Sequence, residues 1–131
     1  MTQTITEQQA LDVSERFTAF ANTLAEYKSA NSDSLTGEQK DALAKCVSRL
    51  RIRAMRLITQ AVGIKLDASR VSLSNIRDAV KTAQKAIATI NTVKKVIEVA
   101  GAVISLGAAI ASKDMGAMAT AVKGIWDTAK A

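Results

Sequence analysis

No proline occurs in this chain of 131 residues, and that absence constrains the fold more than any other feature. Proline removes a backbone donor and breaks a helix interior, so no residue here forces a helix to end early. Alanine, which has the highest helix propensity, occurs 24 times. Hydrophobic residues make up 48% of the chain and supply enough apolar surface for one core. We therefore expect a single all-α domain over 1–131, essentially without a sheet.

Capping patterns divide the chain into four predicted helices. Thr6 and Thr36 each stand three residues before a glutamine, which is the spacing of a capping box, and Ser72 is a third N-cap residue. The predicted helices are an acidic helix over 6–30, a basic amphipathic helix over 37–63, a long helix over 73–112 and a last helix over 115–130. Short loops favour antiparallel neighbours, so we expect a four-helix bundle or an elongated helical hairpin.

The third predicted helix carries a heptad seam, in which apolar positions alternate in steps of three and four. Lys94 is the only charged residue among these positions. A continuous helix over 73–111 would be about 58 Å long at 1.5 Å per residue, with Gly101 as the position for a bend. The seam consists of Leu73, Ile76, Val80, Ala83, Ile87, Ile90, Lys94, Ile97, Gly101, Ile104, Ala108 and Ala111.

The composition changes near Lys95, and the chain beyond it is apolar on nearly every helix face. Glu98 is the only charged residue over 96–112, and four of the six glycines lie in the last 31 residues. A helix that is apolar all round must be buried in protein or in lipid, and small residues four apart let helix backbones approach closely. The residues predicted to insert into a membrane or to self-associate in this Gly/Ala-rich pair are Val96, Gly101, Ile104, Ser105, Gly107, Ala111 and Trp126.

This composition over 96–126 resembles the hydrophobic hairpin of helical pore-forming toxins such as the colicin pore domains. The stretch 96–111 spans about 24 Å, which is shorter than the roughly 30 Å hydrocarbon core of a bilayer. Its marginal hydrophobicity suits conditional insertion better than permanent residence in a membrane. The alternative is a close-packed helix pair inside a soluble or oligomeric bundle.

A stripe of basic residues follows one face of the second predicted helix. Lys45, Arg49, Arg53 and Arg56 stand at i, i+4, i+8 and i+11, and we predict that they contact phosphates or anionic lipid headgroups. The first 40 residues have a net charge of −3 and the remaining 91 of +9, so pairing with the acidic first helix is the alternative. Nucleic acid is a less favoured partner, because no aromatic residue is interleaved for base stacking.

The residue types that usually perform catalysis or bind metals are scarce. The chain has no histidine, and Cys46 is its only cysteine. No glycine-rich phosphate loop or cluster with metal-ligand spacing occurs, and close acidic pairs lie beside basic residues. We therefore expect no enzymatic activity, no catalytic residue, no cofactor and no metal.

The first residues lack a basic segment followed by an apolar one, so we expect cytoplasmic synthesis without a cleavable signal. Secretion by a signal-independent route or membrane association would follow. The leading hypothesis is a small membrane-active protein, such as a bacterial toxin or secreted effector, that inserts its C-terminal hairpin and self-associates. The alternative is a soluble helical interaction module, such as an adaptor, immunity protein or chaperone, whose heptad seam pairs with itself or with a partner helix.

Overall fold

The computed structural model describes residues 2–90 and 92–130, and it is all-α, as predicted. These residues form five helices rather than four, together with a short 3-10 turn at Ser32–Ser34 and two three-residue strands. In chain order the elements are β1 (Thr2–Thr4), α1 (Glu7–Ala30), α2 (Gly37–Gln60), β2 (Lys65–Asp67), α3 (Leu73–Ile87), α4 (Val93–Ser112) and α5 (Met115–Lys130).

Local capping explains where the helices begin. The Thr6 hydroxyl accepts a hydrogen bond from the backbone N–H of Gln9 at 3.1 Å, and the Gln9 side chain accepts one from the backbone N–H of Thr6 at 3.0 Å. The capping box predicted at Thr36 is also present, and Ser72 forms a third one. Each box satisfies amide donors that the first helical turn leaves without a partner.

The continuous third helix predicted over 73–112 is wrong, because the chain leaves the helix after Ile87 and begins a new one at Val93. The β-branched residues Thr89, Ile90, Thr92 and Val93 have low helix propensity. The Thr92 hydroxyl then accepts a hydrogen bond from the backbone N–H of Lys95 at 3.4 Å and caps the new helix. Gly101, the expected bend, lies inside α4 instead.

Because of this break, the residues of the heptad seam do not lie on one continuous helix face. Its residues on α3, from Leu73 to Ile87, are buried, but on α4 Lys94, Gly101 and Ala108 are exposed. A different set faces the core on α4, namely Val96, Val99, Ala100, Val103, Leu106, Gly107, Ala109 and Ile110. The seam therefore cannot serve as one continuous pairing surface.

The expectation of no sheet is wrong in one detail, because β1 pairs with β2 in an antiparallel register that places Gln3 opposite Leu66. Buried Leu66 fixes this register. Two further backbone hydrogen bonds of 2.8 Å extend the pairing, from the Ile5 N–H to the Ile64 carbonyl and from the Gly63 N–H to the Ile5 carbonyl. Gly63 has a positive φ of 83°, which explains why α2 ends at Gln60 and not at residue 63 as predicted.

The helices share one core. α1 packs on α2 and α3, α4 packs on α2 and α5, and α5 packs on α3. Phe17, Phe20 and Leu24 of α1 are fully buried at its centre. Buried Ser14 donates its hydroxyl to the Ala54 carbonyl at 2.7 Å and links α1 to α2. The apolar pair α4 and α5 is therefore covered on one side by α2 and α3.

Candidate functional site

The outer side of α2 combines basic residues with two exposed apolar side chains. Met55 is 69% exposed and Ile52 is 47% exposed, the largest values among the big hydrophobic residues described. The predicted basic stripe runs beside them, with Lys45, Arg49 and Arg56 exposed and Arg53 half-buried. We call this surface the α2 face, and it consists of Lys45, Arg49, Ile52, Arg53, Met55 and Arg56.

Asp41, one helical turn before Lys45, is the nearest acidic residue to the α2 face along the chain, and residues 42–66 contain no aspartate or glutamate. The salt bridges found within residues 2–90 and 92–130 join Asp12 to Arg16 at 3.9 Å and to Arg77 at 2.9 Å. None of them involves the stripe, so the pairing with the acidic first helix that the charge distribution suggested is not formed there. Arg49, Arg53 and Arg56 therefore form no salt bridge within the described residues.

Arg53 differs from the other three residues of the stripe, because its aliphatic stem packs on α4. A Cβ atom added to Gly107 would lie 2.7 Å from Arg53 Cγ and 3.0 Å from Phe17 Cε2. The Arg53 guanidinium remains at the surface, where Nη1 donates to the Gln60 side chain at 3.4 Å. Gly107 therefore allows α2 and α4 to approach closely, and Arg53 connects the basic face to that contact.

The residues predicted to insert or self-associate divide between the two sides of the α4–α5 pair. Val96 and Gly107 are buried, and Gly101 and Ser105 are exposed; Ile104, Ala111 and Trp126 are half-buried. The exposed side of α4 begins with the charged residues Lys94 and Glu98 and continues with the small residues Gly101, Ser105, Ala108 and Ser112. Ser105 donates its hydroxyl to the Gly101 carbonyl at 3.0 Å, so this polar group is already satisfied within the helix.

By length and composition, α4 is the one helix among the described residues that is able to cross a membrane. Its 20 residues rise about 30 Å, which equals the thickness of the hydrocarbon core and exceeds the length expected from 96–111. A core helix of a soluble protein meets the same criteria, and eight residues of α4 lie in the core. Here 44% of the apolar window is buried.

Two surface depressions connect α4 to its neighbours. Ile104 of α4 shares a shallow cleft with Arg49, Ile52 and Arg53, so the α2 face continues onto α4. A second groove lies between α4 and α5 and is lined by small side chains, including Ser105, Ala108, Ser112, Gly116, Ala117 and Ala121. The first depression joins basic and apolar groups, whereas the second one has room for the backbone of another helix.

Sequence reasoning identified the basic stripe but missed Ile52 and Met55. These two residues stand three apart and thus lie next to each other on the helix surface, opposite the core positions Leu50, Ala54 and Leu57. The sequence contained one indication of them, because Ile52 and Met55 are apolar residues outside the core stripe of an amphipathic helix. Two other exposed hydrophobics, Leu11 and Ile58, line a separate groove between α1 and α2.

The remaining candidate chemistry is weak. Cys46 is half-buried, and burial raises the pKa of its thiol, an effect that nearby Arg49 opposes. The thiol is therefore protonated at neutral pH and a poor nucleophile. Within the described residues, no group of three or more His, Cys, Asp or Glu side chains is placed to hold a metal ion.

No family model, curated protein or solved structure significantly matches this chain.

Proposed function

We propose that the protein is a small membrane-active protein that inserts α4 and α5 into anionic bilayers and self-associates there. The observation that carries this proposal is the exposed side of α4. Beyond the exposed Lys94 and Glu98 of its first turns, it consists of Gly101, Ser105, Ala108 and Ser112, and residues 99–112 contain no charge. Entry of this stretch into lipid would not require the dehydration of a charged group, which is the most expensive part of insertion, whereas α5 would bring Lys123 and Asp127 with it.

Insertion would exchange one set of contacts for another. In the soluble form, α2 and α5 cover the buried side of α4. In a bilayer, lipid tails would replace α2, and the small residues of the exposed side would allow copies of the hairpin to pack closely. Lys94 and Lys95 at one end of α4 and Lys113 at the other are suited to reach the headgroups. Release of bilayer contents in this way is an activity expected of a toxin or secreted effector.

The experiment measures dye release from vesicles of phosphatidylcholine and phosphatidylglycerol at neutral and mildly acidic pH, with pure phosphatidylcholine as the lipid control. Gly101→Asp and Ser105→Asp place a carboxylate near the middle of α4 at exposed positions, where the soluble fold tolerates it. A charge at the centre of a bilayer costs about 3 kcal/mol, so dye release should fall about 100-fold.

Thr18→Asp is the matched control, since Thr18 is an exposed position in the interior of α1. This variant should release dye like the wild type. Circular dichroism and thermal unfolding establish that each variant folds. Full activity of folded Gly101→Asp, or no release by the wild type under any of these conditions, would rule out insertion of α4.

One observation favours a second candidate, a soluble interaction module. The groove of small side chains between α4 and α5 has the character of a helix-packing surface and lies open to solvent. A module of this kind would form a stable oligomer or complex in the absence of lipid. Analytical ultracentrifugation tests it, because Ala108→Leu and Ala117→Leu would fill the groove and dissociate such an assembly.

A further inference from the structure

We propose that the α2 face is the docking surface for an anionic lipid bilayer. Ile52 and Met55 enter the interfacial region, and the basic residues around them bind lipid phosphates. This inference deepens the proposed function, on which it rests, by naming the surface that meets the bilayer before α4 inserts.

The apolar part of the argument comes from exposure. Met55 and Ile52 keep 69% and 47% of their surface in water and lie next to each other on one helix. Exposed apolar neighbours of this size, rimmed by charged groups, mark interaction sites on soluble proteins. The flexible, unbranched side chain of Met55 suits an irregular surface such as a layer of headgroups.

The basic residues of the α2 face indicate an anionic partner. Lys45, Arg49 and Arg56 are exposed beside the apolar pair, and Arg53 is half-buried next to them. These four basic residues outnumber Asp41, the acidic residue one turn before Lys45, so this face attracts anions. Juxtaposed basic and apolar groups on one helix are characteristic of helices that lie in the plane of an anionic membrane interface.

The surroundings of the α2 face favour a bilayer over an acidic protein. Ile52 and Met55 stand on the outside of α2, where both are exposed. The cleft shared by Arg49, Ile52, Arg53 and Ile104 makes the α2 face continuous with the helix that the proposed function inserts. Docking therefore brings Ile104 of α4 to the bilayer.

Arg53 belongs both to the α2 face and to the contact between α2 and α4. Its stem covers Gly107 inside the protein, and its guanidinium belongs to the surface that binds phosphate. Docking of the α2 face therefore places headgroup phosphates next to a side chain that packs on α4.

The test measures flotation of the full-length protein with vesicles of phosphatidylcholine, with and without phosphatidylglycerol, at low and high salt. The wild type should float with the anionic vesicles when the two are mixed at low salt and should float less when they are mixed at high salt, which screens the docking step. Ile52→Ser with Met55→Ser should lower the partition constant about 30-fold, since both side chains lose their apolar contact. Arg49→Gln with Arg56→Gln should lower it about tenfold or more at low salt.

The matched control is Leu11→Ser with Ile58→Ser, a pair of comparable exposure at 36% and 41%. These residues lie in the groove between α1 and α2 and outside the α2 face. The control pair should float within about twofold of the wild type, because neither residue contacts the bilayer in this orientation. Thermal unfolding of each pair excludes a loss of fold as the cause.

Three results would overturn the docking surface: flotation of the Ile52/Met55 variant like the wild type, an equal loss in the control pair, or binding to poly-glutamate without binding to vesicles. The last result would assign the face to an acidic protein partner. Docking and insertion fail separately in these experiments. Gly101→Asp should still float with anionic vesicles through the α2 face but release about 100-fold less dye, so normal release by that variant contradicts insertion only, whereas normal flotation of the Ile52/Met55 variant contradicts docking only.

Discussion

Substitution of alanine for Gly107 tests the close contact between α2 and α4. The added methyl group would lie 2.7 Å from Arg53 Cγ and 3.0 Å from Phe17 Cε2. Both distances are shorter than ordinary van der Waals contacts, and Phe17 is fully buried and cannot swing away. Either the Arg53 stem or the backbone of α4 must therefore shift.

The expected magnitude follows from two opposing effects. Alanine is a better helix former than glycine by about 1 kcal/mol, and overpacking of a buried site costs about 1–3 kcal/mol. We expect Gly107→Ala to lower the free energy of unfolding by about 1 kcal/mol. Gly101→Ala is the matched control, because a Cβ there meets nothing within 4 Å and the full helix gain of about 1 kcal/mol remains.

Urea and thermal denaturation followed by circular dichroism measure both variants at one pH. With an unfolding entropy of about 2.1 cal/mol/K per residue, 1 kcal/mol shifts the Tm of this chain by about 4 °C, so the two variants should differ by about 7 °C. Arg53→Ala introduced together with Gly107→Ala should recover part of the loss, since the two residues are in contact. Equal stabilisation by both glycine substitutions would refute the proposed packing of Arg53 on α4.

Two further predictions concern α1 and α2. Ser14→Ala should lower the free energy of unfolding by about 1 kcal/mol in urea denaturation, because it removes the buried hydrogen bond of 2.7 Å to the Ala54 carbonyl; an unchanged midpoint would contradict that role. Cys46 should react with iodoacetamide more slowly in the folded protein than in urea, and its rate should rise with pH around a higher midpoint, because burial raises the pKa of the thiol more than Arg49 lowers it. A folded-state midpoint below that of the unfolded chain would contradict the direction of this shift.

Sequence alone was sufficient for the features that depend on a few consecutive residues. The capping boxes at Thr6 and Thr36 each need four residues, and both were predicted correctly. The break between α3 and α4 was missed because apolar spacing continues across it through Ile87, Ile90 and Ile97. The start of α4 is marked instead by its N-cap Thr92, a signal from one residue that a search for apolar periodicity does not register.

The candidate site was only partly predictable for a related reason. The basic stripe follows from spacing on one helix, but the exposure of Ile52 and Met55 depends on which side of α2 the other helices cover. Gly101 and Gly107 look equivalent in the sequence, yet one is exposed and the other lies against Arg53. Such differences arise from packing between elements distant in the chain, and a local pattern does not contain them.

Because α4 is separate from α3, the backbone N–H and C=O groups at its two ends need hydrogen-bond partners of their own. Thr92 caps its first turn, and Lys113, with a left-handed φ of 60°, ends it by donating its N–H to the Ile110 carbonyl at 3.0 Å. These terminal hydrogen bonds come from residues within or next to α4, and none of them comes from another helix. The helix is therefore autonomous in its main-chain hydrogen bonding, and a change of surroundings from protein to any other medium would alter its side-chain contacts while leaving its peptide groups paired.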